Sequence, residues 1–197
     1  RALLGDPVTV HGWLQIGLFS LLVLLLTKPV GLWLYRVFES RARPLPRLLG
    51  PVERLLFRAC GVDPDEEQDW KAYAVSLLVF SAVGLLVTYA ILRLQAVLPL
   101  NPNGLQAVTP ALAWNTAVSF TTNTNWQAYA GESTMGYLAQ MAGLAWHNFT
   151  SAAAGIGVAL ALARGLTRRG GPGGPRTLGN FWADLVRATL YVLLPLS

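Results

Sequence analysis

The sequence predicts an all-α membrane protein: transmembrane helices joined by a short re-entrant helix and an irregular polar loop. Three observations carry that prediction. Of 197 residues, 53% are hydrophobic and 13% charged, with mean hydropathy +0.44, too apolar and too sparsely charged for an ordinary soluble domain. The apolar residues fall in stretches long enough to cross ~30 Å of hydrocarbon. Lys and Arg are absent from residues 94–163, whereas eight stand from Lys28 to Lys71 and more follow from Arg164 onward, as a positive-inside topology requires. The net charge of +5 and pI near 9.8 therefore belong to membrane flanks rather than to a nucleic-acid surface. The single cysteine, Cys60, has no internal partner and no Cys or His at ligand spacing, so it is incidental.

Residues 8–27 are the first expected span. They look like the apolar core of a secretory leader but lack its basic start and its small-residue cleavage site. Lys28 and Pro29 are expected to end the span, and residues 30–38, with Trp33 and Tyr35, to turn along the interface where such rings favour headgroups. After the turn at Pro44-Leu45-Pro46, residues 51–60 place Val52, Leu55, Leu56 and Ala59 on one helical face, Glu53, Arg54 and Arg58 elsewhere, and Gly61 as a stop. That is a short amphipathic helix, lying on neighbouring helices or on lipid. The acidic residues 63–69 lack calcium-loop spacing and read as a solvated turn.

Residues 72–98 form the second span, with Arg93 placed to snorkel outward. Residues 99–134 hold Glu132 as their only charge and are assigned to the outside. Residues 135–163 return through the membrane, and Gly143, Ala152, Ala153, Ala154, Gly155 and Gly157 leave little bulk, as close helix approach needs. His147 and Asn148 lie at membrane depth, where polar groups face protein or water; a hydrogen-bonded packing role is expected for His147 ahead of a proton relay. Arg164, Arg168, Arg169 and Arg176 mark the inside again. The run Gly170-Gly171-Pro172-Gly173-Gly174 lacks the Gly-Lys-Ser/Thr of a phosphate loop and is expected to be a flexible inner linker. The expected topology has the N-terminus outside, three full spans and the start of a fourth. Beginning at Arg1 and ending within the apolar residues 190–197, the chain is expected to be a piece of a longer protein.

The outer connection carries the sharpest signal. Thr109 can cap a helix and Pro110 suits its first position, after which residues 111–120 continue without a breaker. At 1.5 Å per residue this helix runs about 16 Å, roughly half the hydrocarbon thickness. It can enter the membrane but not cross it. Entering from outside, it aims its partially negative C-terminal end at the midplane, which favours a cation there. The chain then climbs out through Thr121, Thr122, Asn123, Thr124 and Asn125, and irregular backbone at that depth is tolerated only where protein buries it or water lines it. Thr and Asn oxygens, with backbone carbonyls, replace the hydration shell of a weakly hydrated monovalent cation. Rings of carbonyls from several such loops are how potassium filters work, whereas carboxylates would favour divalent ions. The competing reading is an external helix followed by an Asn/Thr turn.

Residues 113–132, Ala-Trp-Asn-Thr-Ala-Val-Ser-Phe-Thr-Thr-Asn-Thr-Asn-Trp-Gln-Ala-Tyr-Ala-Gly-Glu, closely resemble the first pore loop of the channel-like, potassium-binding A subunit of the bacterial Kdp potassium-transporting ATPase. Residues 52–58, 98–102 and 140–144, then Asn148-Phe149 and Ser151-Ala152-Ala153, agree as well; residues 1–12 and the glycine-rich linker do not stand out. The resemblance implies four helix–pore loop–helix repeats around one filter, the architecture of the superfamily of potassium transporters. Residues 1–71 would then be an additional first helix and inner basic loop, residues 72–163 the first repeat, and residues 164–197 an inner linker and the start of the second. It implies potassium at Thr122, Asn123 and Thr124 as substrate, with no cofactor. It also implies a bacterial plasma-membrane complex with a P-type ATPase catalytic subunit, a periplasm-facing accessory subunit and a small single-span subunit. The chain lacks the Asp-Lys-Thr-Gly-Thr phosphorylation motif, so a non-hydrolytic role is expected. A passive potassium channel or symporter subunit, and a structural subunit that docks partners, are the alternatives. An intramembrane enzyme is disfavoured because no nucleophile–base pair is evident.

Overall fold

The computed structural model describes residues 9–40, 45–168 and 177–197; Pro44, Arg169, Arg176 and the glycine run lie outside the described residues. The protein is an all-α membrane protein, with only two short strands among the described residues. Three helices are long and apolar enough to cross a membrane: Val10–Phe38, Trp70–Leu94 and Ala139–Thr167. The chain divides into two units, residues 1–46 and 47–197.

The first unit carries α1 (Val10–Phe38), capped by Thr9, whose Oγ1 accepts from Gly12 N at 3.2 Å. Contrary to the expected stop at Lys28 and Pro29, the helix runs unbroken through Pro29, so the interfacial turn expected at residues 30–38 does not form. Proline removes the N–H that would bond the Leu25 carbonyl. In a long apolar helix, however, leaving the helical ladder would unpair many more backbone groups, and Thr27 Oγ1 adds a bond to the Val23 carbonyl at 2.7 Å just before the proline.

The second unit begins with α2 (Gly50–Cys60), which ends as expected at Gly61, in the left-handed region at φ +63°. Of the two expected seatings of its apolar face, the one on neighbouring helices is not found among the described residues. Glu53 and Phe57 are buried, whereas Val52, Leu55 and Leu56 are exposed. Long-range partners decide this: Arg187 Nε donates to Glu53 Oε1 at 3.1 Å and the Tyr191 hydroxyl to Oε2 at 2.8 Å. A carboxylate so paired can leave water, where an unpaired one cannot.

Strand β1 (Gln68–Asp69) leads into α3 (Trp70–Leu94), whose N-cap Asp69 accepts from Ala72 N at 2.8 Å. Two shorter helices follow, α4 (Pro110–Thr121) and α5 (Gly131–Thr134). The third long helix opens with a π-helical stretch, Ala139–Ala145, where Trp146 N reaches back five residues to the Met141 carbonyl, and continues as α6 (Trp146–Thr167). Strand β2 (Thr177–Gly179) pairs antiparallel with β1, bringing the start of α3 and the segment after α6 to the same end of the helix pair. Then come α7 (Phe181–Arg187), a second π-helical stretch, Ala188–Leu193, and the last turn α8 (Leu194–Leu196).

Small residues let α3 and α6 approach, as their sequence suggests. The His147 ring sits against Gly84 and lies 3.3 Å by Nε2 from the Gly84 carbonyl, and a Cβ on Gly84 would fall 2.9 Å from its Cε1. The Tyr73 hydroxyl lies 2.8 Å from the Gly157 carbonyl. Gly155, by contrast, has nothing within 4 Å of its would-be Cβ. At the strand end, Tyr73, Ala154 and Phe181 form a core, with the Tyr73 and Phe181 rings edge-on at 5.5 Å. Beside it Arg164 donates bidentately to Asp184 at 2.5 and 3.0 Å, and also to the Leu178 carbonyl at 2.9 Å. A second core at the opposite end gathers Leu92, Val108, Ala113, Phe120, Met135, Ala139 and Leu144, and on it stands the segment that carries the candidate site.

Candidate functional site

Helix α4 starts where the sequence places it. Pro110 fills the first turn, where a missing N–H costs nothing; Thr109 is the N-cap residue, but its side chain makes no capping bond. At 12 residues the helix is about 18 Å long. Ala113, Thr116, Ala117, Ser119 and Phe120 are buried, and Ala113 and Phe120 enter the core with Leu92 and Met135. Tyr89 of α3 meets Trp114 edge-on at 6.1 Å.

The connection above α4 is fastened by two amides. Gln95 Nε2 donates to the carbonyls of Gln106 at 2.6 Å and Thr134 at 2.9 Å, and Gln95 Oε1 accepts from Gly136 N at 3.1 Å. Asn101 Nδ2 donates to the Gln95 and Leu105 carbonyls at 3.1 and 2.8 Å. Arg93 reaches the Val108 carbonyl, so it extends towards the outer connection.

Beyond Thr121 the chain leaves helical geometry with its hydrogen bonds all turned one way. Thr122 N donates to the Val118 carbonyl at 3.0 Å and Asn123 N to Phe120 at 3.2 Å; Thr124 N and Asn125 N donate to the Ser119 carbonyl at 2.9 and 3.2 Å. Trp126 N donates to Ser119 Oγ at 2.5 Å. Five consecutive N–H groups thus point back at the last turn of α4. The peptide planes follow from φ of +58° at Asn123 and +57° at Asn125. Asn tolerates this left-handed region better than most residues. Because a peptide N–H and its carbonyl point to opposite sides, the carbonyls of residues 121–125 face away from α4. Among the described residues none of them accepts a hydrogen bond, and Thr122, Asn123, Thr124 and Asn125 are all exposed.

The side chains of Thr122, Asn123 and Thr124 hold the loop. Thr122 Oγ1 donates to the Val118 carbonyl at 3.0 Å, lies 3.2 Å from the Ser119 carbonyl, and pairs with Thr124 Oγ1 at 2.6 Å. Asn123 Oδ1 lies 3.3 Å from the Ser151 hydroxyl of α6, whose single proton is divided between that oxygen and the His147 carbonyl. The Thr121 hydroxyl is buried with no hydrogen-bond partner among the described residues. Next to the loop, Phe120, Asn125, Gln127, Gln140, Leu144, Ala145 and Asn148 line a cleft of about 350 Å³. Gln140 Nε2 is tied to the Gly131 and Met135 carbonyls at 3.2 and 3.1 Å. Gln127 Nε2 donates to the Tyr129 hydroxyl at 3.2 Å. Burial pushes that phenol above its ordinary range, against the opposing effect of the Gln127 bond.

The structure therefore brings Thr121, Thr122, Asn123, Thr124 and Asn125 together at the C-terminal end of one short helix. It adds Ser119, Ser151, Gln140 and Asn148, which the sequence reading did not place in the site. Ser119 carries a signal in hindsight, since it and Thr121 are the polar residues in the last turn of α4. Ser151, 28 residues beyond Asn123, carries none that spacing would reveal. Among the described residues no group of three or more His, Cys, Asp or Glu side chains is placed to hold a metal ion.

The model of the family described as "Potassium-transporting ATPase A subunit" matches residues 17–197. A protein of Mesorhizobium japonicum named as the potassium-binding subunit of a potassium-transporting ATPase is 57% identical over 189 residues, covering 96% of this chain and 33% of the relative. Proteins of the same name from Granulibacter bethesdensis and Rhodospirillum centenum are each 58% identical, over 190 and 191 residues, or 96% of this chain in both cases. The chain spans about a third of the length of these curated relatives.

Proposed function

The chain belongs to the family of potassium-transporting ATPase A subunits, and from that membership we propose that it supplies the first pore helix and filter segment of a subunit that binds and translocates potassium in an ATP-driven import complex. The observation that carries the proposal is the direction of the loop's peptide groups. Five N–H groups are spent on α4, and five carbonyls are left without donors at the negative end of a helix too short to span hydrocarbon. A carbonyl without a partner at membrane depth costs several kcal/mol, and a dehydrated potassium ion offsets that cost while losing its own water to the same oxygens.

In this reading α4 re-enters from the outer side, residues 72–163 are one helix–pore loop–helix repeat, and residues 164–197 open the next. Thr121, Thr122, Asn123, Thr124 and Asn125 contribute one quarter of a filter, with potassium held at Thr122, Asn123 and Thr124, and three matching loops elsewhere in the full-length subunit complete it. The relatives are named as potassium-binding subunits of a potassium-transporting ATPase; a non-hydrolytic role beside a P-type catalytic subunit in the bacterial plasma membrane is part of the same proposal. The periplasm-facing accessory subunit and the small single-span subunit belong to the same proposal.

The test uses the complete complex. Thr122→Val removes the hydroxyl that bridges α4 and Thr124 without changing side-chain shape. It is expected to raise the potassium concentration needed for half-maximal ATPase stimulation by about tenfold, the equivalent of one or two lost hydrogen bonds. An unchanged potassium curve with sodium still rejected would refute the assignment.

A further inference from the structure

Resting on the filter reading above, we propose that Ser151 of α6 is a positioning residue for the filter, holding Asn123 in its left-handed conformation through the Asn123 amide and so fixing the direction of the adjoining carbonyls.

The loop has two attachments of different kinds. The bonds to Val118, Ser119 and Phe120 all run to the helix from which the loop emerges, so they persist if α4 and the loop move as one piece. Among the described residues, the contact between Asn123 Oδ1 and Ser151 Oγ, at 3.3 Å, is the one side-chain hydrogen bond that ties residues 121–125 to a different element. Asn123 is also the first left-handed residue after α4, at φ +58°, and so the hinge at which the peptide plane turns. A non-glycine residue there is locally unfavourable and stays only if something holds it.

The anchor is itself well seated. Ser151 is buried, and its hydroxyl is shared between Asn123 and the His147 carbonyl one turn earlier. The His147 ring in turn lies against Gly84 of α3. A run of contacts, Asn123 to Ser151 to His147 to Gly84, therefore connects the loop to both long helices that flank it. Ser151 is 7% exposed and reaches the loop through Asn123. Its effect on potassium passes through Asn123, which makes it a positioning residue and not an ion ligand.

The experiment measures potassium-stimulated ATPase activity, with sodium as competitor, in the assembled complex carrying Ser151→Ala, Ser151→Thr or Asn123→Gly in the full-length subunit. Ser151→Ala is expected to raise the half-saturating potassium concentration about three- to tenfold, a larger effect than on the maximal rate, as the loss of one hydrogen bond predicts. Ser151→Thr keeps the hydroxyl and is expected to retain the original curve. Asn123→Gly keeps the left-handed freedom but removes the amide. It should reproduce the Ser151→Ala shift, and the double variant should be no worse than either single one. A normal potassium curve in Ser151→Ala, or equal impairment in Ser151→Ala and Ser151→Thr, overturns the proposal. If Ser151→Ala fails to assemble, Asn123→Gly decides, and a normal curve there overturns it as well. A shift in Thr122→Val without one in Ser151→Ala sinks the positioning role and leaves the filter reading standing; flat curves in both sink the filter reading itself.

Discussion

At the scale of single residues, what matters is which atoms are left free once local bonds are made. Residue type alone singles out Thr121 to Asn125, because small oxygen-bearing side chains in an apolar setting have few other uses. Type does not say which oxygens are spent. That depends on the sign of φ at Asn123 and Asn125, which lets the side chains of Thr122 and Asn123 turn inward while the carbonyls turn out. Glu53 makes the same point. Nothing near it in sequence announces burial, because its partners Arg187 and Tyr191 are 134 and 138 residues away. Glycines allow a sharp residue-level test. Gly179 has φ +95°, and a Cβ there would meet the Arg164 guanidinium at 2.3 Å, so Gly179→Ala strains the backbone and dislodges the Arg164–Asp184 pair. It is expected to lower stability by about 2 kcal/mol or more, read as a fall in unfolding temperature of the detergent-solubilised complex. Gly155→Ala, facing open space, should stay within about 0.5 kcal/mol.

Among the elements, the long helices were legible because hydropathy over 20 residues outweighs any local detail, and α4 was legible because Pro110 marks its start. The errors arose where long-range partners or the apolar environment overrode local rules. Pro29 fails to stop α1, since a membrane-length helix has no alternative partner for its backbone, and α2 turns Glu53 inward although its apolar residues mark the other face. The π-helical stretches at Ala139–Ala145 and Ala188–Leu193 have no signature in residue pattern, because the same apolar run suits an α-helix. The joint among α3, α6 and α7 rests on Asp184, which is 1% exposed and held by Arg164, with the Tyr73 hydroxyl 3.1 Å away. Asp184→Ala takes the carboxylate away from the buried Arg164 guanidinium, which keeps its bond to the Leu178 carbonyl, and is expected to cost about 3–5 kcal/mol. Replacing Arg164 by Met in the same chain should recover a large part of that loss. Equal unfolding temperatures for the single and double variants would show that the pair does not act as a unit.

For the whole molecule, charge distribution and site chemistry make separate demands. Positive loops at one end of the α3–α6 pair and a nearly uncharged connection at the other predict opposite sides of the membrane for Cys60 and Asn103. Cys60 is a free, exposed thiol. A membrane-impermeant maleimide is expected to label it only in inverted vesicles, and to label Asn103→Cys, in a chain whose Cys60 has been replaced by Ser, only from outside intact cells; labelling of both from one side would refute the topology. The unpartnered carbonyls of residues 121–125 have one more consequence, which concerns acidity. Residues 94–131 contain no Asp, Glu, His, Lys or Arg, and an amide oxygen takes up no proton at any pH a bacterium survives. Protons therefore have no basic group in this segment for which to compete, and the segment is expected to add no pH dependence of its own to potassium binding from about pH 5.5 to pH 8, across the range where carboxylates and imidazoles titrate. In the proposed reading, sour surroundings would leave this quarter of the filter as it is, where a carboxylate-lined one would be losing its charge.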